Sequence, residues 1–457
     1  MNHSPADFKE SARINSADEN LRRNVRRATS ITLKKREEVV AEIPDWEELR
    51  QQGHNIRKHA IQKLDFYLEE FEKNLTANGA EVLWAKDSAE ACQLVEGVLA
   101  QSSAKRIVKS KSMVTEEIGL NHYLESRGYE SVETDLGEYI VQLAGETPSH
   151  ITAPALHKSK EEIGKLFSEK LGVQYTSEPS QLTMHARGLL REKFLNAEAG
   201  ISGANFLVAE SGTVLIVENE GNAALTTSLP ETHIVITGIE KVVPTLQDAS
   251  ILLKLLPRSA TAQRMTSYVS FINGPKKQQD LDGPKRLVVI LLDNGRSDIM
   301  SNPEMREALY CIRCGACMNV CPVYQTVGGH AYGSTYPGPI GAVLTPLLTS
   351  LPESKDLPFA SSLCGACSDI CPVKIDLHHL LLWHRAKAVQ THLTTFSERV
   401  VIRLWNIGMK NPGLYRFGSK MMRLIFRGKL KVPVWSAKRD LPDLPPKPFH
   451  ELWETIK

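Results

Sequence analysis

Seven of the eight cysteines in this 457-residue chain lie between positions 311 and 371. Cys311, Cys314, Cys317 and Cys321 follow the spacing C-x2-C-x2-C-x3-C, and Pro322 comes directly after. Three thiolates at three-residue intervals in a tight loop can grip three metal atoms of one compact cluster. Gly315 and Ala316 keep that loop small and let its amides point at sulfur. Soft thiolates at this spacing suit an iron–sulfur cubane. A zinc site needs only two Cys-x2-Cys pairs and gives no reason for the third cysteine or the trailing proline.

A second run repeats the first. Cys364 matches Cys314, Gly365-Ala366 matches Gly315-Ala316, Cys367 matches Cys317, and Cys371-Pro372 matches Cys321-Pro322. Ser361 stands in the place of Cys311, so the repeat is one thiol short. In two-cluster ferredoxins the fourth cysteine of each run serves the other cluster. The same crossing here gives a first [4Fe–4S] cluster Cys311, Cys314, Cys317 and Cys371. It gives the second Cys321, Cys364 and Cys367. Three completions of the second remain open: a [4Fe–4S] cube with a non-cysteine ligand such as Ser361 or Ser362, a [3Fe–4S] cluster, or a ligand from a partner. Two clusters this close would pass single electrons between a donor and an acceptor. The 42 residues between Cys321 and Cys364 hold Gly328-Gly-His-Ala-Tyr-Gly333, an insertion suited to cover a cluster edge.

The rest of the chain must position these runs. Residues 1–75 are rich in helix formers, and Ile61, Leu64, Leu68, Phe71 and Leu75 recur at helical spacing, which predicts a helical arm of two or more helices. Residues 76–297 alternate strands and helices, the pattern of a parallel α/β sheet. Strands are expected at 81–84, 106–108, 130–133, 205–208, 212–217, 233–237, 266–272 and 286–292. Helices are expected at 88–99, 113–126, 159–171, 183–197 and 246–256, with a loop at 148–157. The cysteine region takes 298–385. Residues 386–457 are helical and then proline-rich, and 399–439 hold 11 Lys and Arg without an Asp or Glu.

Whole-chain numbers bound the function. With 55 Lys+Arg against 53 Asp+Glu, the net charge of +2 excludes a nucleic-acid binder recognised by charge alone. Apolar runs fall short of the roughly 20 residues of a membrane span. No basic head leads into an apolar stretch at the start, so the expected compartment is the cytoplasm, where clustered thiols are metal ligands rather than disulfides. The basic segment, interleaved with Trp405, Phe417, Met421 and Met422, suits an acidic partner or peripheral contact with a membrane surface. Other chemistry-bearing residues are weaker. Glu210, Glu218 and Glu220 bracket a hairpin-like turn. His150 and His157 are expected to be structural, His378, His379 and His384 to form a polar helix face, and Cys92 to be a buried thiol.

The run 311–322, the glycines at 328–329, and Ser362-Leu-Cys364-Gly-Ala-Cys resemble the lactate utilization B family. So do Gly200-Ile-Ser-Gly-Ala-Asn205, Ala209-Glu-Ser-Gly212 and Val217-Glu-Asn-Glu-Gly221 upstream. The resemblance implies a domain similar in fold to sugar-phosphate isomerases and CoA transferases, followed by a ferredoxin-type two-cluster domain. It implies an iron–sulfur subunit in the oxidation of L-lactate to pyruvate, carrying electrons towards the respiratory chain. It also implies two partners, a cysteine-rich redox protein and a smaller protein with a related domain. The family's second run is likewise one cysteine short. The rival reading is an enzyme, with the α/β domain acting on a small carboxylate or CoA ester; CoA transferases of similar fold use a Glu.

Overall fold

The computed structural model describes residues 7–425, 445 and 447–456. The chain divides into two compact units, Met1–Ala386 and Lys387–Lys457. The first begins with four helices, α1 (Phe8–Ala17), α2 (Glu19–Ala41), α3 (Trp46–Gln62) and α4 (Leu64–Ala77). Asp7 caps α1 by accepting the amides of Lys9 and Glu10, and Asp18 closes α1 and caps α2. These helices do more than lead into the next domain. Both α2 and α3 pack on the cysteine region, and α3 also packs on the helix Leu246–Ala260.

The expected parallel sheet is present. Its strands are among β1 (Glu81–Ala85), β2 (Arg106–Lys109), β3 (Glu130–Glu133), β4 (Ala199–Ser202), β5 (Phe206–Val208), β6 (Thr213–Glu218), β7 (Thr232–Gly238), β8 (Val242–Val243), β9 (Tyr268–Ile272) and β10 (Arg286–Leu292). Six of them form an all-parallel sheet in the order β1-β10-β7-β4-β2-β3. The apolar run of β10 pairs with β1 on one side and β7 on the other, and Leu287 to Leu292 are buried, as strands covered on both faces must be. The other four form a separate mixed sheet, β8-β5-β6-β9.

Two local expectations are corrected, and one strand was not expected. The stretch 199–202 is a central strand, although Ala-Gly-Ile-Ser has little strand propensity. Gly200 is required there, because a Cβ would lie 1.9 Å from the carbonyl oxygen of Thr226. The helix expected over 113–126 is two, Met113–Glu117 and Leu120–Ser126, broken at Gly119, whose φ is +65°. The turn after Glu218 joins no hairpin: it leads from β6 into the helix Asn222–Ser228.

One apolar cluster runs from Leu49, Ile61 and Phe71 of the N-terminal helices through Val214 and Val243 of the second sheet. It continues to Met318, Tyr324 and the cysteines beyond. The second unit holds the helices Phe396–Lys410, Pro412–Ile425 and Phe449–Ile456, with Phe396, Val401, Trp405 and Phe417 exposed. The proline-rich tail expected near the end, and the basic stretch beyond 425, fall mostly outside the described residues. Among the described residues, no helix is long and apolar enough to cross a membrane.

Candidate metal centre

The two cysteine runs fold alike, residue for residue. Arg313 and Leu363 both take positive φ, 59° and 55°, and Gly315 and Gly365 follow at 75° and 83°. Each run then makes one short helix, Ala316–Val320 or Ala366–Ile370, and ends on its last cysteine, Cys321 or Cys371, as the helix cap. A left-handed backbone at Arg and Leu costs on the order of 1–3 kcal/mol. Its effect is to turn successive amides inward, the concave nest that receives anionic groups such as iron–sulfur cores.

The amides meet sulfur. Arg313 N–H donates to Cys311 Sγ at 3.4 Å and Ile375 N–H to Cys371 Sγ at 3.4 Å. The N–H of Ala316 donates to Cys314, that of Ile340 to Cys317, those of Val323 and Tyr324 to Cys321, and that of Ala366 to Cys364. Ile340 comes from the insertion between the runs.

The short helices pack against each other, and this crosses the sets. Cys311, Cys314 and Cys317 line one cavity with Cys371 of the second run, walled by Ile151, Ile340, Ile375 and Leu377. Cys321 of the first run instead faces Cys364 and Cys367, whose charges act on one another. None of the eight cysteines is in a disulfide. Burial, and then the charge of Cys371, push the Cys314 thiol well above its ordinary range. Burial and the charges of Cys314 and Cys311 do the same to Cys317, and burial raises Cys371 to about 12. Buried thiolates so close are stable only around a multivalent cation, and the inward amides suit an anionic sulfide core. The residues therefore fit iron–sulfur groups. The two sets differ in exposure: Cys311, Cys314, Cys317 and Cys371 are buried, whereas Cys364 is exposed.

Sequence reasoning missed the cations around the first set. On α3, Arg50 donates from Nε (3.0 Å) and Nη2 (2.7 Å) to the carbonyl of Cys371 and from Nη2 to that of Asp369 (2.7 Å), while Arg36 reaches Ile370. Arg57 is buried and donates to the carbonyls of Leu309, Tyr310, Val242 and Glu240, and burial lowers it to about 10. Glu240, just after β7, pairs with Arg296 at 2.6 Å and Arg313 at 3.3 Å. Their signal, one arginine per two turns of a helix, is the same as that of a solvated face.

The weaker candidates have settled places. His150 is buried, accepts the amides of Thr152 and Ala153, meets Asn319 at 3.1 Å, and is lowered to about 3 by burial. It is structural, and it packs over Gly315, where a Cβ would lie 3.0 Å from its ring. His157 pairs with Glu146 at 2.7 Å. His384 is buried and bonds the carbonyl of Val343, so it does not share an exposed polar face with His379. Glu218 accepts the amides of Ala223 and Ala224, and Glu210 that of Leu246, so both cap helices. Cys92 is buried and raised to about 11 by burial. From the insertion Ile340 lines the cavity of the first set, and the insertion also packs on the loop at 148–157: Tyr324 donates to the carbonyl of Ser149, and a Cβ on Gly329 would stand 1.8 Å from that oxygen.

One polar cluster was not foreseen. At the carboxyl ends of β2 and β3, Lys109 pairs with Glu133 at 2.6 Å and Glu116 at 3.3 Å. Glu138 lies beside them with its Oε1 unpartnered, raised to about 8 by burial and by the charge of Glu133. Glu220 nearby is raised to about 7 by burial and by Asp135.

Comparison with known proteins gives three family matches: a LUD domain over residues 68–292, a 4Fe-4S dicluster domain over 307–375, and the lactate utilisation protein B C-terminal family over 385–457. The lactate utilization protein B of Bacillus velezensis is 45% identical over 449 residues, covering 96% of this chain and 94% of that protein. That of Bacillus subtilis strain 168 is 47% identical over 420 residues, covering 89% and 88%. That of Bacillus cytotoxicus is 49% identical over 381 residues, covering 83% and 80%.

Proposed function

The chain belongs to the lactate utilization protein B family, and we propose that it serves lactate utilization as an iron–sulfur electron carrier. In this reading it takes part in the oxidation of L-lactate to pyruvate in the cytoplasm and hands electrons to a partner or respiratory acceptor. Cys311, Cys314, Cys317 and Cys371 hold one [4Fe–4S] cluster; Cys321, Cys364 and Cys367 hold the second. The observation that carries the assignment is the single cavity shared by three thiols of the first run and the last thiol of the second. When bound, the clusters supply one-electron chemistry. The protein's own residues set its terms. The amides of Arg313, Ala316, Ile340 and Ile375 offset the negative charge of the sulfurs, and Arg50 fixes the loop that carries Cys371. Ile151, Ile340 and Leu377 keep water from the first set, while the exposed Cys364 gives the second set an outlet to a partner. The partners in this reading are a cysteine-rich redox protein and a smaller protein with a related domain.

Anaerobic reconstitution tests the reading, with about eight irons per chain expected for two cubanes. Cys314→Ser should bleach the first cluster while circular dichroism keeps the α/β signal. Retained iron and an unchanged EPR spectrum would refute the ligand assignment.

A second reading is favoured by Glu138 and Glu220, two carboxyl groups that hold protons near neutral pH at the carboxyl end of a parallel sheet. There the α/β domain itself turns over a small carboxylate or CoA ester. Incubating the reconstituted chain alone with L-lactate and an artificial acceptor separates the two. The carrier reading expects no pyruvate, and steady pyruvate formation would favour the enzyme.

A further inference from the structure

We propose that Ser361 is the fourth protein ligand of the second cluster, its Oγ standing where Cys311 Sγ stands in the first. The inference rests on the two-cluster reading above. It is carried by the backbone identity of the two runs. At position i+2 from each residue lies a left-handed non-glycine, Arg313 or Leu363; at i+4 lies a left-handed glycine, Gly315 or Gly365. In the first run the i+2 amide, that of Arg313, donates to Cys311 Sγ at 3.4 Å. In the second run the i+2 amide, that of Leu363, donates to Ser361 Oγ at 3.1 Å. The side-chain heteroatom of Ser361 is thus turned into its own nest as the sulfur of Cys311 is.

Two further contacts single out Ser361 from its neighbour. The hydroxyl of Ser362 donates to Cys364, so it is spent on a ligand rather than free to be one. The backbone of Ser361 is pinned: Arg385 donates from Nη2 to the carbonyl of Ser361 at 2.8 Å and from Nε to that of Pro358 at 2.8 Å. Ligation forms one Fe–O bond, and the hydroxyl proton leaves to solvent. The Leu363 amide, which donates to the Ser361 Oγ, then stabilises the alkoxide. An oxygen ligand is harder than thiolate, so the second cluster differs electronically from the first. That difference suits two clusters of unequal burial passing electrons in one direction.

The test uses the full-length chain, reconstituted anaerobically as wild type, Ser361→Ala, Ser361→Cys and Ser362→Ala. Iron and sulfide are counted, and EPR spectra are taken before and after reduction, with a thermal melt to check folding. Wild type should hold about eight irons. Ser361→Ala should lose about one iron per chain and show the oxidised three-iron signal. Ser361→Cys should restore the wild-type iron count with one of the two reduced signals altered, and Ser362→Ala should keep the wild-type count. A three-iron second cluster in wild type, or a full complement in Ser361→Ala, overturns the Ser361 assignment and leaves the seven cysteines standing. About four irons or fewer in wild type overturns the two-cluster reading itself.

Discussion

Lys109, Glu133 and Glu138 form a buried acid–base group in the α/β domain whose proton affinities are strongly shifted by burial and by one another. Lys109 stays charged because Glu133 and Glu116 outweigh the effect of burial, and Glu138 is left holding its proton up to a pH of about 8. Its unfolded value is 4.5. Below that value both states are protonated and Glu138 costs nothing. Between the two values the unfolded chain gives up the proton and the folded chain keeps it, so stability falls as pH rises from about 4.5 towards 8. Glu138→Gln should remove this slope. The expected outcome is equal stability to wild type near the lower end and a gain on the order of 1–3 kcal/mol near pH 8, read from denaturant midpoints across the range. A parallel pH dependence in the two proteins would refute it. None of this was legible in the sequence, because the three residues come together only when β2, β3 and the following helix fold. The cysteines were legible, because three of the first set and two of the second are neighbours along the chain and their spacing encodes the loop. The arginines behind them were not, since a cation on a helix looks the same whether it meets water or a buried carbonyl.

At the scale of elements, the strands rich in Val, Ile and Leu announced themselves and β4 did not. Its place in the middle of the sheet is set by close approach rather than by propensity. Gly200→Ala would push a methyl group into the carbonyl of Thr226, with β2 on one side and β7 on the other leaving no room to yield. A loss of about 1–3 kcal/mol is expected in urea unfolding, against a gain of roughly 0.5–1 kcal/mol for Gly188→Ala inside the helix Pro179–Leu195, where a Cβ meets nothing. Similar losses at both positions would show that space at β4 does not decide the strand. The helices of the second unit pose a different question. Arg399, Arg403, Arg416 and Lys420 share Phe396–Lys410 and Pro412–Ile425 with exposed Val401, Trp405 and Phe417. Basic and apolar side chains together favour an anionic membrane surface. The full chain should float with vesicles containing anionic lipid and not with neutral ones, and Trp405→Ala with Arg403→Ala should weaken flotation several-fold. Equal flotation with neutral vesicles would exclude this contact.

For the molecule as a whole, the α/β domain and the cysteine region share one apolar cluster and one buried polar seam. Arg57 sits at the centre of that seam. A single guanidinium on α3 satisfies the carbonyls of Val242 and Glu240 after β7 and those of Leu309 and Tyr310 just before Cys311. Beside it, Arg296 bridges Glu240 and Glu117, and Glu117 accepts the hydroxyl of Tyr336 from the insertion. The sequence divides this region at about residue 297, a boundary that no run of charges or prolines contradicts, whereas Arg57 from a distant helix ties the two sides together, along with the Arg313–Glu240 and Tyr336–Glu117 contacts. Arg57→Ala leaves four carbonyls without their donor in a place water cannot reach. Each such orphan costs roughly 1–3 kcal/mol before relaxation. A net loss of about 3–5 kcal/mol is expected, as when one partner of a buried charged network is removed. Because the lost donor also frees the 3-10 turn Arg306–Tyr310 that leads into Cys311, iron should leave faster as well. Reconstituted wild type and Arg57→Ala, mixed with a chelator, should differ at least several-fold in the rate at which the cluster absorbance falls. The melt of the α/β domain should drop in step with it. A lower melting point with an unchanged rate of iron loss would mean that the seam supports the sheet alone and that the cluster loops hold their shape without it.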